Sequence, residues 1–354
     1  KAGFSYLHSL FRKLPEDSLE NFYINRFGRV LYSMFFEGYT EKLWGRHPRD
    51  ISAEWGAQRV KGLSISAVIK DMCSKILPKS KNRQVETSLI EEFIYPKFGP
   101  GQLWETVAAE IEDKGGRLLK NCQVTSLTRK DNRISGVVYE HDGKPMEIEG
   151  DFVISSMPIK ALVAGLGDAV PDTIQRVASG LPYRDFVTVG LLVNKLNLEN
   201  KTAIPTLGNV VPDCWIYVQD TGVKLGRIQI FNNWSPYLVK DPEHTVWIGL
   251  EYFCEEGDDF WRMPEEDCVA FAIKELISMG ILTQAEDVLD SHRERILKAY
   301  PAYFDTYAQI DELRDYLDGI ENLYCVGRNG QHRYNNMDHS MATSFEAVRC
   351  ILTG

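Results

Sequence analysis

Residues 321 to 352 constrain the fold of this chain more than any other stretch. Asn322-Leu323-Tyr324-Cys325-Val326-Gly327 reads as a short buried strand, and the run from Arg328 to Asn336 is too polar and too rich in turn formers to extend it. A helix is expected from about Met337. Its apolar positions Met341, Phe345, Val348 and Leu352 recur at spacings of three and four, which predicts one buried face. The open N–H groups and positive dipole end of such a helix point at the mouth of the strand, where an anion is the natural guest. A strand and helix at the edge of any α/β sheet would read the same way.

Composition removes several classes. The 354 residues suffice for two domains and an ample core, and 44% hydrophobic with 25% charged is ordinary globular composition. A net charge of -10 supplies no basic field for a phosphate backbone, so nucleic acid is not an expected partner. The seven cysteines show no CxxC and no metal-ligand spacing, which fits reduced thiols in a cytoplasmic protein better than a disulfide framework. His332 and His339 flank the turn without metal partners, so no metal site is expected. No apolar run approaches the length of a membrane span.

Taken in order, residues 5 to 45 are helical in pattern, with Ser18 or Asp17 placed to cap a second helix. A glycine turn at 99 to 101 feeds a helix to Lys114. Strands are expected at 117–119 and 123–127, then a hairpin of 134–139 with 146–148 closed through Asp142-Gly143. Phe152 to Met157 is a continuous apolar run of the parallel-sheet type, stopped by Pro158. Strands rich in β-branched and aromatic residues follow at 186–193, 215–218, 227–231 and 246–253, with helices at 265–279 and 303–317. Trp104, Trp215, Trp234 and Trp261 are expected in the cores of their elements, and Trp247 is the best cavity candidate of this group.

Two stretches carry a family resemblance. GRNGQHRYNNMDHSMATSFEA, residues 327 to 347, resembles the carboxy-terminal flavin-binding motif of the FAD-dependent amine oxidase, protoporphyrinogen oxidase and UDP-galactopyranose mutase superfamily. Residues 25 to 45, with Pro48 and Ala53-Glu54, resemble the GR-LY--F--GYT-K-W stretch of the mutases and related flavoproteins. The resemblance implies an α/β (α+β) fold: a partial FAD-binding Rossmann-type domain plus an antiparallel-sheet and helical substrate domain. It places residues 1–95 and 159–318 in the substrate domain, and 96–158 with 319–354 in the FAD domain. It implies FAD as cofactor, approached by Gly327, Arg328, Asn336, Met337 and Asp338, with the helix start facing the N1 and C2 carbonyl edge of the flavin. Tyr39, Trp44, Arg59, Lys61, Tyr334 and Trp247 are the implied substrate residues. Around Arg59 and Lys61 one residue must be inserted, and Lys61 stands where the mutases have arginine.

The GxGxxG turn that holds the pyrophosphate in this superfamily is not found. Gly99-Pro100-Gly101 and Gly165-Leu166-Gly167 are the GxG triplets, and neither completes the motif. The chain therefore reads as the substrate-side portion of a flavoprotein oxidoreductase lacking its amino-terminal dinucleotide-binding half. Alone it is expected to be inactive, to bind FAD weakly or not at all, and to self-associate through unpaired strand edges. Its substrate would be a small molecule giving hydride to flavin N5. A mutase-like, non-redox enzyme acting on a nucleotide sugar and a binding module that has lost FAD are the other readings.

Overall fold

The computed structural model describes residues 1–59 and 94–354, with only the helix backbone given for 57–59; Lys61 and the side chain of Arg59 lie outside the described residues. Ten strands are found among the described residues: β1 Cys122–Lys130, β2 Arg133–His141, β3 Lys144–Glu149, β4 Val153–Ser155, β5 Tyr183–Val193, β6 Trp215–Tyr217, β7 Arg227–Ile230, β8 Val246–Cys254, β9 Val288–Pro301 and β10 Leu323–Cys325. They fall into two compact units, Lys1–Gly116 with Asp185–Leu297, and Arg117–Arg184 with Lys298–Gly354. The sequence placed the breaks at 95/96, 158/159 and 318/319. They differ because the helices Ile159–Leu166, Asp172–Ser179 and Ile310–Asp318 pack in series onto β10 and so join the second unit.

The first unit is built on a five-stranded sheet in the order β6-β7-β8-β5-β9. Alternation along the strands sorts its two faces. Ile228, Ile230, Ile248, Leu250, Tyr252, Val187, Val189 and Leu191 point one way and bury against Phe260, Cys268, Ala272 and Leu276 of the helices Asp259–Arg262 and Glu265–Ser278. The other face carries Trp215, Tyr217, Arg227, Gln229 and Glu251, which the antiparallel register sets side by side. β9 escaped the sequence reading because it is an edge strand: Asp290, His292 and Glu294 are exposed, and charges there keep another chain from pairing.

Two helices of this unit meet through a glycine. Ser18 caps the helix Leu19–Phe27, its Oγ accepting from the Asn21 N–H at 3.3 Å. Gly28 ends that helix at φ +80°, where a Cβ would lie 2.7 Å from the backbone nitrogen of Tyr6. An L side chain is strained at that φ, and the backbone of the helix Ala2–Phe11 would have to move aside. Gly28→Ala is therefore expected to cost about 2 kcal/mol or more, read as a lower urea midpoint. An unchanged midpoint would show that the two helices are not in close contact.

The sequence placed Trp104 in a core. Instead it is exposed, as are Leu103, Val107 and Ile111 on the same helix, Pro100–Asp113, because nothing among the described residues of its own unit covers that stripe.

The second unit holds the meander β1-β2-β3 and the parallel pair β10-β4. Asp142 and Gly143 both take positive φ, 50° and 71°, which is the tight turn expected between β2 and β3. Residues 117–119 form no strand, since no neighbouring strand pairs with them among the described residues. Asn322 fastens meander to pair: its Oδ1 accepts from the Ile134 N–H at 2.8 Å, and its Nδ2 donates to the carbonyls of Ile134 and Asp151 at 2.8 and 2.9 Å.

The final helix, Met337–Thr353, starts where the sequence puts it, but its apolar stripe is not buried. Ala347 is its one buried residue, and Thr343 accepts from the Gly327 N–H at 2.9 Å, so the helix packs by its small, hydroxyl-bearing side. Phe345 is 68% and Leu352 79% exposed. The 3.6-residue period marks an apolar face, but the burial expected of that face is not met: nothing among the described residues covers it.

Candidate functional site

The first candidate cluster is the turn between β10 and the final helix. Gly327 takes φ +73°, and a Cβ on Gly330 would lie 2.7 Å from the Ser155 carbonyl oxygen, so the turn rests directly on the end of β4. The same oxygen accepts from the Val326 N–H at 2.9 Å. Arg328 holds the shape of the turn: its Nε and Nη2 donate to the Asn335 carbonyl at 3.0 and 2.7 Å, and its Nη1 to the Ala299 carbonyl at 2.7 Å. Its guanidinium lies 4.8 Å from the ring centre of Tyr334 and 5.7 Å from that of Tyr300, the two rings being stacked. Most of the cation is thus engaged within the unit.

The helix start is capped by Asn336, whose side chain accepts from the His339 N–H while His339 Nδ1 faces the Asn336 N–H. The N–H groups of Met337 and Asp338 are left as donors with no partner among the described residues. Beneath the turn, Ser155 Oγ and Asn329 Oδ1 are buried without partners among the described residues. Open helix-start donors suit a cofactor edge that bears carbonyl oxygens and accumulates negative charge, and the two orphaned oxygens beneath the turn can accept from a cofactor N–H or O–H. The residues present therefore fit FAD.

His332 lies wholly inside this turn, at φ +44°. Its Nε2–H donates to the Ala302 carbonyl at 3.1 Å, and the Tyr183 ring meets it edge-on at 4.7 Å. Burial holds the imidazole down at about 4, helped by the Arg314 and Lys160 charges. It is a neutral structural histidine. No group of His, Cys, Asp and Glu that could hold a metal ion occurs among the described residues.

The second cluster is the open face of the five-stranded sheet. Arg227 and Glu251 are register partners on β7 and β8, each 3% exposed, and form an ion pair between Arg227 Nη2 and Glu251 Oε2. Gln229 Nε2 donates to the other carboxylate oxygen at 2.8 Å. The guanidinium lies between aromatic rings, 4.9 Å from Trp215 and 5.0 Å from Phe253. The sequence reading missed Arg227, Gln229 and Glu251 altogether, and it took Trp215 for a core residue.

Three of the sequence candidates belong to this first unit's described part. Tyr39 is half-buried and edge-on to Tyr217 at 5.4 Å, beside the aromatic face. Trp44, expected at a substrate, is 1% exposed and packs edge-on against Trp55 at 5.4 Å, because its helix turns that side into the core. Trp247 is half-buried, and its ring covers Gly190, where a Cβ would lie 2.8 Å from it. Arg59 and Lys61 are backbone-only and outside the described residues respectively.

Lys42, in the same motif, has a clear task. Its Nζ donates to the carbonyls of Val218, Asp220 and Leu225 at 3.0, 2.6 and 2.9 Å, pinning the connection between β6 and β7. Burial lowers its pKa while the Glu275 and Asp220 charges oppose that shift. Lys42→Met removes three charge-assisted bonds at once and is expected to cost about 2–3 kcal/mol, with the loss of ordered amide signals at 218–225 in an NMR spectrum. Intact signals would mean that the connection holds itself.

No family model matches the chain, and no curated protein does. Solved structures do. A reduced UDP-galactopyranose mutase matches 99% of this chain and 70% of its own at 19% identity, with a TM-score of 0.75. A protein assigned as a protoporphyrinogen oxidase from Exiguobacterium sp. 255-15 matches 99% of this chain and 71% of its own at 13% identity and a TM-score of 0.65. A putrescine oxidase double mutant made to redesign cofactor binding matches 98% and 70% at 14% identity and a TM-score of 0.59. At such identities the likeness is one of fold.

Proposed function

From the fold that this chain shares with the FAD-dependent, amine oxidase-like flavoproteins, we propose that it is the substrate-side part of an FAD-dependent oxidoreductase. The observation that carries the reading is the turn after β10: the Met337 and Asp338 N–H groups at the helix start, and the buried Ser155 Oγ and Asn329 Oδ1 beneath the turn, have no partners among the described residues. When bound, FAD would supply the hydride acceptor at its N5. The chain's own part is to present N–H donors to the cofactor edge, to hold the turn rigid through Arg328 and Tyr334, and to offer a substrate surface on the sheet. A protein nucleophile is not needed for that chemistry, and none is proposed.

The cofactor's dinucleotide half is assigned to a βαβ segment that covers the second unit. A parallel strand pair is ordinarily covered on both faces, yet Phe152 and Ile154 are exposed around β4, and the apolar stripe of the final helix is bare. A Rossmann-type layer has the apolar sheet edge and helices to fill both. The matched structures are longer than this chain by the share left unmatched, which leaves room for it.

The test is the visible spectrum of the native protein, taken with and without dithionite, alongside FAD titration into this chain. A flavin band in the native protein and weak or no uptake here is the expected result. A monodisperse monomer of this chain carrying stoichiometric FAD would overturn the divided-domain reading. A native protein that stays colourless and takes up no FAD would overturn the flavoenzyme itself in favour of a binding module. Turnover of UDP-galactofuranose only after reduction would move the assignment from oxidoreductase to mutase.

A further inference from the structure

Where β2 turns into β3, the meander sets a nucleophile beside a base. Cys122 and His141 are register partners on β1 and β2, and the Cys122 Sγ lies 3.1 Å from the His141 Nδ1. The turn adds an acid: Asp142, at φ +50°, puts its Oδ2 3.6 Å from the His141 Nε2. Solvent reaches all three, Cys122 being half-buried and the other two exposed.

Each member has a task. A carboxylate beside Nε2 favours the tautomer that carries its proton there, which leaves Nδ1 to take the S–H proton. The thiolate and imidazolium so formed attract each other, and the carboxylate steadies the imidazolium. The sulfur's other neighbour, the Lys120 carbonyl at 3.4 Å, is a far weaker base than imidazole. Lys144 is the register partner of His141 and Lys120 lies two residues before the thiol, and both charges favour a thiolate. Glu140 alternates to the opposite face, and the helix packed on β1, Ile159–Leu166, carries one charge, Lys160.

No other thiol has such a base among the described residues. Cys254 and Cys268 are buried. Burial, with the Asp318 charge, pushes Cys325 up to about 12, and burial with the Asp213 charge raises Cys214. The Cys350 Sγ lies 3.8 Å from the Glu346 carboxylate, which is already paired with Arg349. Cys73 lies outside the described residues.

We propose that Cys122, His141 and Asp142 form a modification site at which the Cys122 thiol exchanges with a small disulfide. The Cys122 sulfur attacks one sulfur of the disulfide, and a new S–S bond forms as the old one breaks. Cys122 is oxidised and the leaving sulfur reduced, and that sulfur departs as a thiol with the proton held at the His141 Nδ1. No flavin takes part, so the site goes beyond the proposed activity and stands apart from it.

Glutathione disulfide, added to the native protein and quenched at intervals, tests it, with the mixed disulfide located by peptide mass mapping. At pH 7 Cys122 is expected to be modified about tenfold faster than Cys214, Cys325 and Cys350. His141→Gln is expected to slow Cys122 about tenfold at pH 7 and to leave it unchanged at pH 10, where a thiol ionises without a base. Should that variant fail to fold, Asp142→Asn, which suits a positive φ, carries the test, with slowing of about threefold at pH 7 alone. Modification first at Cys214, Cys325 or Cys350, the parental rate at pH 7 in the variants that fold, or equal slowing at both pH values would overturn the proposal.

Discussion

Replacing Arg227 with methionine is expected to lower the unfolding free energy of the chain by about 3–5 kcal/mol, among the largest effects of any single substitution outside the glycines. The pair sits on a sheet face at 3% exposure, so the change strands the Glu251 carboxylate in a place where water cannot reach it. Gln229 would remain as its donor, and one neutral amide does not replace a guanidinium. The ring of Trp215 would also lose the cation beneath it. The double variant Arg227→Met with Glu251→Leu removes both charges and is expected to recover most of the loss, to within about 1 kcal/mol of the parent. Urea unfolding followed by far-ultraviolet circular dichroism measures all three proteins. If single and double variants lose the same amount, the cost lies in packing around the guanidinium and not in the orphaned carboxylate.

That pair also shows where sequence reading stops. The strand, turn and helix from Asn322 to Thr353 were legible because everything that defines them lies within a few residues: an apolar run, turn formers, then an apolar period of 3.6. The strands β5 to β8 were legible for the same reason, from their β-branched and aromatic content. Arg227 and Glu251 stand 24 residues apart and become neighbours only through the antiparallel register of β7 and β8, which no local pattern fixes. Lys42 is similar: its three carbonyl partners lie 176 to 183 residues away, so a motif could mark the lysine without saying that it pins a loop. β9 was passed over because the charges that suit an edge strand look like a solvated loop. The exposed stripe of the final helix is the converse case: the period marked an apolar face, but the burial expected of it is not met, because burial depends on a partner element that no local pattern names.

Stability is expected to fall as pH drops from about 6.5 towards 4, through His332. Its imidazole is wholly buried and titrates at about 4, against 6.5 when exposed. Between those values the unfolded chain binds a proton that the folded one refuses, so unfolding takes up protons and acid favours it. The full contribution is present above about pH 6.5 and is lost as pH falls through the folded value, about 3 kcal/mol in all and about 2 by pH 5. The geometry explains the refusal. Nε2–H is committed to the Ala302 carbonyl, Nδ1 has no partner among the described residues, and the facing groups are the Tyr183 and Tyr307 rings with the Arg314 and Lys160 charges nearby. A proton on Nδ1 would be a buried cation with no acceptor and like charges beside it. Asparagine tolerates the φ of +44° at this position, so His332→Asn is the non-titrating control. Urea unfolding at pH 8 and pH 5 should show the parent losing about 2 kcal/mol more than the variant over that interval. Equal losses would mean that the turn opens before it titrates, and that the histidine is reached by water in a way its burial does not allow.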